Sequence, residues 1–415
     1  MRLVERHVIT RADPRFAALD HAAFASKHLY NQALYVTRQA FIHQQRVIRY
    51  PELAREMQTT EPYRALPRKV SQGVLKQVAL AWQSYCAACA AWKADPARFL
   101  GHPRLPRYLD KQRGRNLLVY TTQALSQPGL RAGRIEPSGL GIQVPTQQTP
   151  HTIAQVRIVP RRGFYVVEVV YAREPVPAAG LNPALHAGVD IGLNNLATLT
   201  SDKPGFVPRV VNGRPVKSIN QFYNQQRAEW QRALGAAGAG AAATYYTSRR
   251  LERLTTRRTR RIDHYLPTAS RRLIELLVAE GIGTLCIGQN PLWKQAVHMG
   301  RRNNQNFVAV PHARFVAMLT YKAALVGIQV VITEESYTSK ASFLDGDPLP
   351  VYDAQRPEAP AFSGRRVKRG LYRAADGTPI NADVNGAYNI IRKVAPEAFA
   401  QGSRGCVVHP VRLAA

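Results

Sequence analysis

The sequence is short of acid. Its 415 residues carry 27 Asp and Glu against 57 Lys and Arg, a formal net charge of +30. Self-repulsion on that scale opposes a compact state unless a polyanion neutralises it, so nucleic acid is the expected partner. Long apolar runs are lacking too: nothing approaches the roughly 18 residues that cross a bilayer, and no basic amphipathic terminus points to a membrane surface. The start, MRLVERHVIT, has no apolar signal-peptide core, so a cytoplasmic location is expected. Four cysteines argue against a disulfide scaffold. Cys86 and Cys89 make one CxxC with no second pair, and the alanines around them mark small core residues rather than half a zinc site.

What is present divides the chain. Arg2–Thr10 reads as a strand, and Pro14 opens a long helical pattern to Gln44 through Phe16, Leu19, Phe24, Leu29, Leu34 and Phe41. A second helix is expected over Val70–Lys93. From Gly101 the chain turns extended and basic, with Arg104 and Arg107 each following a proline. Apolar segments at Asn116–Thr121, Gly141–Val144, Ile153–Val159 and Phe164–Tyr171 then suggest a small β-barrel interrupted by the helices. The stretch EPVPAAGLNP, Glu174–Pro183, is the expected domain boundary.

Beyond it, the hairpin AGVDIGLNNLATLT carries one acid, Asp190, inside an apolar strand, where a carboxylate is costly without compensation. Helices are expected over Lys217–Arg232 and Thr244–Glu280. The second bears Arg249, Arg250, Arg253, Arg257, Arg258, Arg260 and Arg261 with too few glutamates for i,i+4 pairing, and reads as a row of charge for phosphates. TLCIG is the next strand, followed by QNPLWKQ with Lys294, the polar run from Arg301 and Arg302 to Phe307, and a helix from about His312 to Val326. A strand, GIQVVITEE, then ends on Glu334 and Glu335, which alternation places on opposite faces. Residues Ala341–Ile380 read as irregular, and Asp383 sits in the first turn of a last helix. Asp190, the Glu334/Glu335 pair and Asp383 are thus three separated acids at element ends in a basic chain, the pattern by which two divalent ions are held for phosphodiester hydrolysis. Oxygen ligands suit Mg²⁺, with Mn²⁺ as a substitute.

The runs GVDIGLNNLAT, IGQNPLWKQ, NNQNF, EESYTSKASFLD and NADVNGAYNI resemble the TnpB/OrfB family of insertion-sequence proteins, related to the miniature type V CRISPR effectors. GHPRLPRY, QVRIVPRRGFYVVEVVY and the arginine helix extend the resemblance over most of residues 1–393. It implies an RNA-guided DNA endonuclease with an α+β multidomain fold. The N-terminal part would be a wedge-like β-barrel (1–13 and 97–178) with an inserted helical recognition domain (14–96). After a linker (179–186) would come a RuvC domain of RNase H type (187–340 and 381–395) with helical and irregular insertions, among them 341–380, and a tail (396–415). The partners implied are a guide RNA and target double-stranded DNA, with a homodimer on one guide RNA as an allowed assembly, in a prokaryotic, nucleoid-associated setting.

By the same resemblance Asp190 matches the first RuvC acid and Asp383 the third. The family's second acid commonly ends the strand that here reads TLCIGQN, where this chain has Gly288. A subset carries a Glu before the Tyr-Thr-Ser run instead, and Glu335 matches that place best, with Glu334 in reserve. Relatives often hold a zinc ribbon on four cysteines within 341–380. This chain has no cysteine there, so a zinc-free target-binding insertion is expected, packed on Phe343, Phe362 and Tyr372 and bearing Arg365, Arg366, Lys368 and Arg369. Lys340 joins the expected nucleic-acid contacts. The competing expectation is a guide-RNA-dependent DNA binder that no longer cuts; a transposase with a tyrosine nucleophile lacks its His-hydrophobe-His motif.

Overall fold

The computed structural model describes residues 1–237, 248–290, 294, 300–352, 360–400 and 406–414. The GAAGAGAAA stretch expected between two helices, most of QNPLWKQ and part of the tail fall largely outside these residues. The chain forms two compact units, Met1–Arg173 and Glu174–Ala415.

In the first unit, β1 (Arg2–Thr10) leads into the helices α1 (Phe16–Gln44), α2 (Tyr50–Met57), α3 (Glu61–Arg64) and α4 (Arg68–Ala94), and then into β2 (Leu118–Thr121). A short helix α5 (Gln127–Arg131) and the two-residue strands β3 (Arg134–Ile135) and β4 (Val144–Pro145) precede β5 (Ile153–Arg161) and β6 (Phe164–Ala172). Alternation in β6 sends Tyr165, Val167 and Val169 to one face, where they are buried with Ile9, Val156, Ile158, Leu118 and Tyr120. On the opposite face Glu168 is buried and held by Arg6 at 3.3 Å and Arg157 at 2.7 Å. The helices pack through Leu19, Ala23, Leu29, Ala33 and Leu34 against Val70, Val74, Val78 and Trp82, and the Trp82 indole donates to Thr37 Oγ1 at 2.7 Å.

Two expectations change here. The sheet is antiparallel and open, in the order β1-β6-β5-β2, and among the described residues no barrel closes. The segment expected to help close it, Gly141–Val144, pairs as β4 with β3 in a separate ribbon, and β2 is only four residues long. Cys86 is exposed and Cys89 half-buried, so neither is a core residue. The buried positions of α4 end at Trp82, and the remaining turns run on past the core.

The second unit is built on a six-stranded mixed sheet. Its strands are β7 (Asn182–Asp190), β8 (Asn195–Ser201), β9 (Arg209–Asn212), β10 (Ile282–Gly288), β11 (Gln329–Thr333) and β15 (Val411–Leu413), in the order β11-β10-β7-β8-β9-β15. β7, β8 and β9 run antiparallel in sequence, while β10 and β11 lie parallel to β7 on its other side. Every residue of β10 is buried, as for a parallel strand covered on both faces. Between the strands run α6 (Arg214–Ala237), α7 (Arg249–Ala279), α8 (Arg301–Ala309) and α9 (His312–Leu325). The polar run NNQNF lies on α8. The insertion is not wholly irregular: β12 (Arg365–Lys368), β13 (Leu371–Arg373) and β14 (Pro379–Asn381) form a small antiparallel sheet before α10 (Ala382–Val394). A side chain on Gly188 would strike the Ala387 carbonyl, so this glycine lets α10 lie directly on β7.

Candidate active site

Strand register gathers the acids. Ile287 pairs with Val189 and Gly288 with Thr333, so the carboxyl ends of β7, β10 and β11 form one row running Asp190, Gly288, Thr333. β11 stops at Thr333, so Glu334 and Glu335 lie just past the strand and not on its alternating faces. The chain still bridges to its neighbour there: Gln289 N–H donates to Thr333 O at 2.8 Å, and Glu335 N–H donates to Asn290 Oδ1 at 2.9 Å. Tyr337 follows with φ +63°, a left-handed conformation uncommon for a bulky residue, and the turn takes the chain away from the sheet.

The two glutamates differ. Glu334 is ion-paired with Lys393 of α10 and accepts the Ser336 N–H at 2.7 Å. Glu335 turns inward over Gly288, where Oε1 is buried without a hydrogen-bond partner among the described residues. Burial pushes its carboxyl up to about 7. Asp190 is raised well above the usual range, first by burial and then by the charges of Asp383 and Glu335, against a lowering by Arg366. Gly386 of α10 leaves room for this acid: a Cβ there would stand 3.1 Å from Asp190 Oδ2.

Asp383 lies in the first turn of α10, but the cap of that helix is Asn381, whose Oδ1 accepts from the N–H groups of Asp383 and Val384 at 3.0 and 3.2 Å. The Asp383 carboxylate is thereby free to receive Asn195 Nδ2 at 2.6 Å and to lie 4.0 Å from the Arg366 guanidinium. Asn195, Asn290 and Asn381 are the contributors sequence reading missed; Asn195 was legible only as a turn residue after Asp190.

Asp190 therefore feels the charges of both Asp383 and Glu335 at the end of the sheet, and the donors of all three are oxygen. A raised acid pair and an orphaned buried oxygen are what a site for a divalent cation presents when judged from its protein atoms alone. As they stand, no three His, Cys, Asp or Glu side chains among the described residues are close enough together to hold one ion.

Residues 167–293 match the family model described as a probable transposase, OrfB_IS605, and residues 312–390 match the Cas12f1-like TNB domain. Over these two segments the chain is similar to the TnpB/OrfB and Cas12f1-like families. No curated protein matches it. Among solved structures it is similar to the protein of a Cas12f1-sgRNA-target DNA complex, at 12% identity and a TM-score of 0.50, over 90% of this chain and 81% of that one. A CRISPR-Cas12f ternary complex matches at 10% identity and TM-score 0.36 over 90% and 80%, and the mini-RNA-guided endonuclease CRISPR-Cas_phi3 at 12% and 0.33 over 60% and 52%. The first of these likenesses identifies the fold as that of Cas12f.

The basic residues of this chain divide by exposure. Arg249, Arg250, Arg253, Arg257, Arg260 and Arg261 of α7 are exposed, as are Arg104, Arg107, Lys340, Arg365, Arg366, Lys368 and Arg369. Arg250 rests on the Trp230 ring at 4.1 Å. Arg258 is drawn into the structure: it donates to Asn220 Oδ1 at 2.7 Å and to Ala309 O at 3.3 Å and lies over Tyr223. Lys294 is likewise half-buried, donating to Val310 O beside the Phe307 ring, with its ammonium lowered to about 8 by burial. Both of these expected phosphate contacts are engaged with protein groups in this structure. Arg301 and Arg302 open α8, where the backbone alone is described.

The insertion bearing β12 hangs on buried polar bonds. Asp347 accepts from Ser342 N–H at 2.7 Å and from Ser363 N–H and Oγ–H at 3.1 and 2.6 Å. Asn385 and Asn389 of α10 both donate to Ala341 O. Phe343 stacks on Tyr388 at 4.3 Å, and Tyr372 is buried in the same cluster. Phe362 is half-buried and meets Tyr337 at 5.9 Å.

Proposed function

We propose that this protein is an RNA-guided DNA endonuclease that cuts target DNA beside a short adjacent motif, with Asp190, Glu335 and Asp383 as the catalytic acids of a RuvC domain. The observation that carries the reading is the row Asp190, Gly288, Thr333, with Glu335 folded back over the glycine toward Asp190. A glutamate entering from β11 thereby occupies the space that a β10 acid would fill. The mixed sheet with the first acid on a central strand, the two family matches and the Cas12f-like fold support it.

Mg²⁺ or Mn²⁺ held by Asp190, Glu335 and Asp383 would supply an activated water and charge stabilisation for the leaving 3′ oxygen. The chain's own residues prepare the place. Asn195 fixes one oxygen of Asp383, the Asn290 carbonyl oxygen holds the Glu335 backbone, and Lys393 withdraws Glu334 from competition. Arg366, beside Asp383, is positioned to meet a phosphate of the strand being cut. The exposed arginines of α7 would track a nucleic-acid backbone without reading bases, leaving target choice to pairing with a guide RNA. Domain limits follow the sequence expectation in this reading, with 341–380 as a zinc-free target-binding insertion. Assembly of two copies on one guide RNA is part of the same proposal.

The test is to sequence RNA that copurifies with the protein and to incubate the complex with matched DNA and Mg²⁺. One defined RNA with specific cuts supports the reading. A defined RNA with tight binding and no cuts makes the protein a guided binder, the second reading, which the glycine at position 288 in place of an acid favours. Absence of bound RNA overturns both.

A further inference from the structure

The extended loop after α4 is fastened along α1 by a ladder of bonds. Arg38 donates to Pro106 O at 3.3 Å, Asn31 exchanges two 2.9 Å bonds with the Leu109 backbone, Lys27 Nζ donates to Lys111 O at 2.7 Å, and Arg115 grips Asp20 bidentately. The loop is therefore a rigid strap, and its Arg104, Arg107, Lys111 and Arg113 side chains are left to solvent or half to it.

Beside the strap opens a cavity of about 670 Å³ bordered by Lys27, Asn31, Gln32, Thr60, Tyr108 and Lys111. Its size is within the range that takes a drug-sized or nucleotide-sized ligand. Three features of its wall are unusual together. Tyr108 is 43% exposed and its ring is backed on one side by the Arg38 guanidinium at 5.0 Å, which leaves a stiffened aromatic surface. Gln32 borders the cavity, and its Oε1 is buried with no hydrogen-bond partner among the described residues, a state that costs stability until a donor arrives. Lys111 is exposed at the rim, where a phosphate attached to an occupant would lie.

We propose that this cavity captures a single unstacked nucleobase bearing an exocyclic amine. The base stacks on Tyr108, its amine donates to Gln32 Oε1 after a turn about the soft terminal torsion of that side chain, and its phosphate meets Lys111. This rests on the chain being a nucleic-acid binder but not on its being a nuclease. The exposed Lys111, the aromatic face and the unmet acceptor each match one part of a nucleotide, with Glu61 the one acid on the wall; a peptide or a lipid would leave at least one of the three unused.

The experiment measures fluorescence anisotropy of the full-length protein with labelled twelve-nucleotide homopolymers, oligo(dA), oligo(dC) and oligo(dT), at fixed salt. The expected result is tighter binding of oligo(dA) and oligo(dC) than of oligo(dT), by about tenfold, the scale of one base-specific contact. Tyr108→Ala should weaken the two favoured polymers about tenfold, the scale of one stacking contact, and Tyr108→Phe should restore them. Gln32→Leu should erase the preference without changing oligo(dT) affinity, while Gln32→Glu, which keeps an acceptor, should retain it. Equal affinity for all three polymers in the native protein, or a preference that survives Gln32→Leu, overturns the pocket while leaving the guided-nuclease reading standing. Failure to bind any polymer overturns nucleic-acid binding itself, and with it both readings.

Discussion

A Cβ placed on Gly288 would lie 2.8 Å from both Cγ and Oε1 of Glu335, and 2.6 Å from Ile390 Cδ1. The glycine and the glutamate are one arrangement: the first is empty so that the second can enter. Gly288→Ala should therefore displace the carboxylate and overpack the β10–α10 contact. Melting should reveal a loss of about 1–3 kcal/mol, and cleavage should fall well beyond what that instability explains. Moving the acid back, as Gly288→Asp with Glu335→Gly, should recover part of the activity that either change alone removes. A double variant no better than the singles would show that the two sites are not interchangeable.

Asp190→Asn should abolish cutting and leave guided binding within about twofold, because it removes a cation ligand and no phosphate contact. The same change should raise the melting temperature of metal-free protein. It deletes a buried charge set against Asp383 and Glu335, both of which push its carboxyl up. Lower stability of the metal-free variant would mean that the ionised Asp190 is structurally satisfied.

The pH dependence has a definite sign. Burial lifts Glu335 from an ordinary 4.5 to about 7, so between these values the folded state holds a proton the unfolded state has lost. This contribution to stability is fully present below about 4.5 and is lost as pH rises through about 7. Metal-free protein should thus lose on the order of 2 kcal/mol of stability from this group between pH 5 and 8, and Glu335→Gln should flatten that slope. Mg²⁺ should restore stability most at the alkaline end. A denaturant series at several pH values decides it, and an unchanged slope in the variant would move the titration to another group.

Much of this was legible in the sequence. The long apolar periodicities of α1 and α4 and the alternation of β6 identify their elements because each buries one continuous face. Asp190 and Asp383 stood out because an acid inside or beside an apolar segment needs a reason. The choice between Glu334 and Glu335 was not readable from local pattern, since it depends on Lys393, 58 residues after Glu335 in the chain, and on the empty position at Gly288. Closure of the first sheet was not readable either, because which partner β4 takes is a tertiary matter. Cys86 looked like core because alanines surround it, yet composition does not tell where a helix outruns its support.

Asn195 donates to Asp383 Oδ2 at 2.6 Å and belongs to the hairpin that also carries Asp190. Asn195→Ala should leave Asp383 free to rotate, lowering cleavage about tenfold to a hundredfold, as loss of an orienting partner of a metal ligand does. The effect should lessen at high Mn²⁺ if orientation is what was lost. Cleavage assays across a metal series would separate this from a folding defect, which added metal would not rescue in proportion.

Asp347 is the residue on which the insertion turns, because it joins the Ser342 turn to Ser363, two residues before β12 begins at Arg365. It is only 4% exposed, and its bonds come from backbone N–H groups and a hydroxyl. Asp347→Ala should leave those donors unmet at a cost of about 2–4 kcal/mol. Since β12 and β13 are short and lie outside the six-stranded sheet, the loss should be local. Hydrogen exchange should quicken across 342–352 and 360–381 while β7 and β10 stay protected. Arg366, three residues after Ser363, would lose its place beside Asp383, so cleavage should fall even where target binding persists. Zinc chelation should change neither exchange nor melting in the native protein, because here carboxylate and aromatic packing carry the fold of this segment. Uniform acceleration of exchange throughout the second unit in Asp347→Ala would instead make Asp347 part of the global core.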